Sequence, residues 1–309
     1  MKIVIAGGTG FLGHHLTAAF LADGHTVVVL SRRMGVRVAS GASVVRWDFA
    51  DARSGWTKTI DGADVVVNLA GEPIADHRWT AAHKGRIEDS RVNATRHVVA
   101  AIAAAKRPPS VLVSGSGVGF YGPCHDEFVT EDTGAGHDFL AGVCRRWEAQ
   151  AVEASSPATR VVCIRTGLVL ERDGGALPKM LTPFRLGVGG RVGTGTQFWP
   201  WIHRTDWINL VRFAIDTADI AGPMNATAPE PVTNAAFARE LGRAMGRPAF
   251  VPTPGLALRI MLGEMANALL LSGQRAVPAK ADRLGFTFAY PTLAPALAAL
   301  FGQKKPVGV

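Results

Sequence analysis

Apolar residues in this chain come in short unbroken runs, separated by longer stretches where apolar and polar positions recur at helical spacing. The runs are MKIVIA at 1–6, TVVVL at 26–30, SVVRWD at 43–48, ADVVVNLAG at 63–71, PSVLVSGSGVGFYG at 109–122 and TRVVCIRTGLVL at 159–170. Continuous apolar runs of this length read as strands buried on both faces, which is the habit of parallel sheets. Between them HHLTAAFLADG, the later part of 72–105 with its stripe through Val92, Val98, Val99 and Ile102, and FLAGVCRRWEAQAVEA read as helices. Strands alternating with helices require right-handed crossovers and a sheet covered on both sides. The pattern therefore predicts an α/β, doubly wound parallel sheet over residues 1–170, with a soft boundary. Beyond Leu170 the rhythm changes to short, loop-rich pieces, which predicts a smaller C-terminal substrate lobe over 171–309 with segments returning to the sheet.

The first turn gives this sheet a candidate ligand. Gly7, Gly10 and Gly13 follow the first strand at the spacing G-x-x-G-x-x-G and lead into a helix and a second strand. Backbone without Cβ lets a pyrophosphate approach and lets the helix pack close to the strand, while the helix N-terminus faces the phosphates with free N–H groups. The architecture is thus Rossmann-like, and the turn predicts a dinucleotide site. The end of the second strand selects the dinucleotide. An NAD site carries an acidic residue about 20 residues after the glycines, whereas this chain has Ser31, Arg32 and Arg33. Two guanidiniums suit a 2′-phosphate, so the expected cofactor is NADP(H).

Composition narrows the setting. The net charge of +8 would admit a nucleic-acid partner, yet no long basic run or RNA-binding motif accompanies it, and an anionic cofactor accounts for part of it. Cys124, Cys144 and Cys163 are too few and too irregular for a disulfide framework or a zinc site, which points to a reducing, cytoplasmic setting and no metal. No secretory leader is expected at the N-terminus, since the chain opens on a core strand. LALRIMLGEMANALLL carries Arg259 and Glu264 and reads as a buried or amphipathic helix rather than a membrane span.

GGTGFLG, NLAG, RVNAT, SGSGVGFYG, IRTGLVL, WIHRTDW and PMNATAPEPVT occur in the order expected of extended short-chain dehydrogenases/reductases, the NAD-dependent epimerase/dehydratase superfamily. NLAGEPIADHRW, FLAGVCRRWE and LGFTFAYPTLAPAL resemble an atypical subgroup called epimerase family proteins, sometimes labelled SulA-type cell-division inhibitors. The resemblance covers essentially the whole chain. It implies NADP(H) bound through Gly7, Thr9, Gly10, Phe11, Leu12 and Gly13, through Ser31, Arg32 and Arg33, and through Leu69, Ala70, Gly71, Asn93 and Ser114. Asp48, at the end of the third strand, is either an adenine contact or a loop carboxylate. Glu72 is either a ribose or substrate contact or a surface residue.

The departure from the superfamily pattern concerns catalysis. Such enzymes use Tyr-x-x-x-Lys, where the ammonium lowers the tyrosine pKa and the phenol moves the proton. Aligning Glu148 with the acidic residue that often follows the lysine places Leu140 at the tyrosine position and Cys144 at the lysine position. The catalytic candidates left are Ser116, at the end of the fifth strand, and Tyr121, just beyond it; only Tyr121 and Tyr290 are available as phenols. Arg145 and Arg146 are candidate sources of positive charge, and Arg165 and Thr166 candidate cleft residues, while His203 and Asp206 read as structural. Three functions remain: an NADP-dependent oxidoreductase or epimerase on a small carbonyl or hydroxyl substrate, a non-catalytic NADP(H) sensor, and a cell-division or regulatory partner protein.

Overall fold

A computed structural model describes residues 1–48 and 55–302. Seven strands form the main sheet: β1 (Lys2–Ala6), β2 (Thr26–Ser31), β3 (Ser43–Arg46), β4 (Val65–Asn68), β5 (Val111–Gly117), β6 (Arg160–Thr166) and β7 (Gly222–Ala226). Their spatial order is β7-β6-β5-β4-β1-β2-β3, the reversal about β1 that defines a doubly wound fold. β1 pairs in parallel with β2 and β4, β2 with β3, and β4 with β5. The expected Rossmann-like α/β sheet is therefore present. Val65, Val66 and Val67 of β4 are at most 1% exposed, which explains why that strand shows no polar alternation.

Helices between the strands include α1 (Phe11–Ala22), α2 (Ala81–Ala103) and α3 (Phe139–Val152). Val98, Val99 and Ile102 of α2 pack with Val4, Val66 and Leu112 in one apolar core. Two details differ from the sequence reading. β3 ends at Arg46 rather than at Asp48, whose carboxylate instead lies 3.6 Å from Arg46 Nη2. The apolar run 159–170 is two strands rather than one. β6 stops at Thr166, and Leu168–Leu170 pairs with Trp201–His203, because Gly167 and Leu168 donate to the carbonyls of Ala226 and Pro200.

The chain divides into two compact units. The first comprises residues 1–120, 139–165 and 208–224, and the second 121–138, 166–207 and 225–309. The division follows contacts, so 121–138 belongs to the second unit although it precedes β6. Within the second unit Leu170, Leu177, Phe184, Trp199, Trp201, Phe237, Leu241 and Leu297 form a separate core. Phe128–Val129 pairs with Arg275–Ala276, and Asn225 accepts the Tyr121 hydroxyl. Helix Gly255–Leu262 contains no buried residue, and it ends at Gly263, whose φ is +63°. Leu256, Ile260 and Met261 are each about two-thirds exposed while Leu258 and Leu262 are half-buried, so this part of LALRIMLGEMANALLL is an amphipathic helix with one partly covered face rather than a buried one. Among the described residues no helix is long and apolar enough to cross a membrane.

Candidate functional site

The glycine turn and the end of β4 are built against each other. Gly7 adopts φ +81°, and a Cβ there would lie 2.7 Å from the carbonyl carbon of Leu69 and 2.9 Å from the nitrogen of Ala70. Leu69 N–H donates to Ala6 at 2.8 Å, which ties NLAG to the strand that opens the turn. A Cβ on Gly13 would strike the Gly7 carbonyl and come within 2.7 Å of Gly8 Cα. Gly10 differs: it is exposed, and its missing Cβ would meet only the Gly7 oxygen, at 3.3 Å. Gly7 and Gly13 are thus demanded by packing, whereas Gly10 leaves an open backbone surface.

α1 begins at Phe11, so the helix starts inside the glycine motif. Its N-cap, Gly10, offers no side chain, and no acidic residue stands in the first turn. The first-turn N–H groups therefore remain available, as an anion site requires. Thr9 is exposed, and Phe11 and Leu12 are half-buried. At the end of β2, Ser31 Oγ donates to the Arg33 carbonyl and accepts from Arg33 N–H, closing a local turn from which Arg32 and Arg33 stand exposed. Bare backbone, free N–H groups and two exposed guanidiniums fit a phosphorylated dinucleotide. Asp48, Leu69, Ala70 and Asn93 are half-buried, and Gly71 is exposed. Glu72 is half-buried, with its N–H donating to Ser90 Oγ. Ser114 is fully buried, and its hydroxyl makes a long contact, 3.4 Å, to the Gly115 carbonyl.

The catalytic candidates occupy different environments. Ser116 is buried, and its hydroxyl donates to Glu148 Oε1 at 2.6 Å. Glu148 in turn accepts two parallel bonds from Arg165, Nε to Oε1 and Nη2 to Oε2, each 2.9 Å. The Arg165 guanidinium also lies 3.5 Å from the centre of the Phe120 ring. Because a carboxylate only accepts, the Ser116 proton is committed to Glu148, and the Ser116 hydroxyl is also within hydrogen-bond reach of the Cys144 thiol. Tyr121 is 4% exposed, and its phenol donates to Asn225 Oδ1 at 2.6 Å. The Asn225 amide donates to the Val277 carbonyl, so the phenol is held inside a closed network of the second unit.

The α3 positions are as unreactive as their residue types imply. Leu140 is buried, and the Cys144 thiol is pushed up to about 11 by burial, with the Glu148 charge adding to the rise. Arg145 and Arg146 are exposed, Arg146 pairing with Glu88, so neither replaces the lysine. The cation nearest in effect to Cys144 is one that sequence reasoning passed over. Arg91, on α2, donates from Nη1 to the carbonyls of Glu72 and Ile87 and lies 5.3 Å from the Trp147 ring centre. Its place in RVNAT was the only available signal, and nothing in the sequence brings α2 beside Cys144.

In the second unit, Arg204 pairs with Glu171, and the His203 ring lies tilted at 44° against Tyr290 with ring centres 4.0 Å apart. Burial lowers the His203 pKa to about 4, with Arg204 contributing in the same direction. Asp206 accepts from the N–H groups of Ala289 and Tyr290, while burial, the larger effect, raises its pKa. Thr166 accepts from Trp207 Nε1.

Comparison with known proteins agrees with this geometry. Residues 3–226 match the family described as NAD dependent epimerase/dehydratase, and residues 253–300 match a domain of unknown function, DUF1731. Epimerase family protein SDR39U1 of Bos taurus is 39% identical over 301 residues, covering 96% of this chain and 98% of that protein. YfhF of Bacillus subtilis is 39% identical over 308 residues, covering 99% and 100%. The crystal structure of human SDR39U1 with NADPH is 35% identical, with a TM-score of 0.87, covering 97% of this chain and 99% of that one. A bare-glycine turn on a doubly wound sheet, matched along almost the whole chain, places this protein in the NAD dependent epimerase/dehydratase family.

Proposed function

We propose that this chain is an NADP(H)-dependent oxidoreductase acting on a small carbonyl or hydroxyl substrate without the usual Tyr-x-x-x-Lys pair. The observation that carries the reading is the uncapped start of α1, opened by an exposed Gly10, on a unit that also presents Arg32 and Arg33 exposed beyond β2. NADPH in the 35% identical human structure supports the same cofactor here. In this reading the first unit binds the cofactor, through Gly7, Thr9, Gly10, Phe11, Leu12, Gly13, Ser31, Arg32, Arg33, Asp48, Leu69, Ala70, Gly71, Glu72, Asn93 and Ser114. The second unit recognises substrate, in a reducing, cytoplasmic setting. Bound NADPH supplies the hydride. Glu148 and Arg165 hold the Ser116 hydroxyl in one orientation at the end of β5. Ser116 and Tyr121 are the two catalytic candidates, the hydroxyl of one donating to Glu148 and that of the other to Asn225.

Leu140 and Cys144 favour a second reading, a non-catalytic NADP(H) sensor, since general acid–base help is worth ~10²–10⁴ in rate and neither residue supplies it. The relatives named above carry an epimerase-family name and no cell-division label. The deciding experiment is NADPH oxidation with a panel of quinones, aldehydes and ketones, comparing the intact protein with Ser116→Ala and Tyr121→Phe. Turnover that falls at least tenfold in Ser116→Ala supports the first reading. NADPH binding with no turnover of any compound replaces it with the sensor.

A further inference from the structure

Helix Gly255–Leu262, in the second unit, carries apolar side chains in two directions. At about 3.6 residues per turn the half-buried Leu258 and Leu262 fall on one side, and the exposed Leu256, Ala257, Ile260 and Met261 fall on the other. The outward face is thus as apolar as the covered one. Arg259 is the one charged residue of the helix; it is exposed at the edge between the two faces and donates to Asn267 Oδ1 at 3.0 Å. A second segment runs beside the approach to this helix. Val251 and Thr253 donate to the carbonyls of Gly189 and Arg191, and Gly193 donates to that of Thr253. Just before this ladder Leu186 is 72%, Val188 49% and Phe250 78% exposed. Among the described residues, six of the eleven exposed large apolar side chains therefore belong to 186–188 and 250–261. Such a concentration marks an interaction surface, whereas singly scattered apolar residues do not.

Charge selects the occupant. Residues 174–196 and 241–263 contain Lys179, Arg185, Arg191, Arg243, Arg247 and Arg259 and no Asp or Glu. All six cations are exposed, Arg243 pairing with Glu240 just outside the second segment. A second copy of the chain is a poor match, since a two-fold interface would set this surface against itself and bring cation against cation. An anionic bilayer supplies both complements at once. Its headgroup phosphates meet the cations, and the boundary with the acyl chains takes up outward-pointing Leu, Ile, Met and Phe. We propose that helix Gly255–Leu262, with the neighbouring 186–191 segment, is a membrane-surface docking site by which this protein lies on an anionic lipid bilayer without crossing it. The inference is independent of the oxidoreductase reading.

The test is co-sedimentation of the intact protein with vesicles of phosphatidylcholine alone and of phosphatidylcholine and phosphatidylglycerol in equal parts, at low and at physiological ionic strength. Binding to the anionic vesicles is expected to be at least roughly tenfold tighter than to the neutral ones and to weaken as salt is added. Leu256→Ser with Ile260→Ser leaves the net charge unchanged and should weaken that binding at least roughly tenfold, because the apolar contact with the bilayer is lost. Arg247→Ala with Arg259→Ala should weaken it several-fold. Arg32→Ala with Arg33→Ala removes the same charge from the first unit and should leave it unchanged. All of these side chains are exposed, and unchanged melting temperatures verify that the variants fold. The proposal is overturned if the intact protein does not bind the anionic vesicles, or if the serine pair binds them as tightly as the intact protein. It is also overturned if the two arginine pairs weaken binding equally, since the attraction is then that of a basic chain and not of this surface. A dimer seen by sedimentation velocity that the serine pair abolishes, without vesicle binding, overturns it in favour of a second copy.

Discussion

Replacing Glu148 by alanine probes a buried charged assembly of the first unit. The side chains of Arg165 and Glu148 are 4% and 11% exposed, so neither charge is screened by water. Removing the carboxylate deletes two bonds of 2.9 Å to Arg165 and one of 2.6 Å from Ser116. The Phe120 ring 3.5 Å away remains as a partial partner for the guanidinium. Breaking one side of a buried ion pair costs about 3–5 kcal/mol, because the remaining charge stays desolvated. For a unit of this size each kcal/mol moves Tm by roughly 2–4 °C, so the expected drop is about 6–20 °C. The double variant Glu148→Leu with Arg165→Met removes both charges and should recover most of that loss. Calorimetry of the single variants and the double variant checks this. A drop below about 4 °C in Glu148→Ala, or strictly additive losses in the double variant, would refute the argument that the pair is coupled and desolvated.

Gly7→Ala should abolish dinucleotide binding and lower Tm, since φ +81° is strained for alanine and the added Cβ lies 2.7 Å from Leu69; fluorescence titration and melting check it together. Cys144 should react slowly with iodoacetamide at pH 7–8 and faster only as pH approaches the thiol pKa of about 11, with mass spectrometry of the labelled cysteines as readout. His203 has a folded pKa lowered to about 4, so the unfolded chain binds the extra proton first as pH falls. Its contribution to stability is present above an unfolded value of about 6.5 and is lost between there and about 4. Melting curves across that range should steepen downward in the intact protein and flatten in His203→Gln.

The sequence showed most clearly what the backbone decides locally. β1, the glycine turn, α1 and β2 were legible because Gly7 and Gly13 answer to a positive φ and to close approach within a few residues of themselves. The parallel sheet was legible from runs such as Val65–Val67, buried on both faces. The assembly around Ser116 was not. Ser116, Glu148 and Arg165 come from β5, α3 and β6, and a carboxylate on a helix has no sequence mark that says which strand it reaches. Arg91 escaped notice for the same reason, since an arginine on an amphipathic helix ordinarily reads as solvated. The split of 159–170 at Gly167 depends on carbonyls of Pro200 and Ala226, far along the chain. Helix Gly255–Leu262 marks another limit, for its apolar residues admitted a buried or an amphipathic helix, and the fold half-covers Leu258 and Leu262 while Leu256, Ile260 and Met261 stay exposed.

The central claim is a site for a 2′-phosphorylated dinucleotide at the glycine turn, and direct titration of the intact protein with NADPH and with NADH tests it. Arg32 and Arg33 stand exposed beyond β2, at the place along the chain where an NAD site carries an acidic residue. A charge-assisted phosphate contact contributes about 1.5–3 kcal/mol, so NADPH should bind roughly ten- to a hundredfold more tightly, and changing both arginines to alanine should remove most of the difference. Equal affinity of the intact protein for the two cofactors, or no binding of either, would contradict the account.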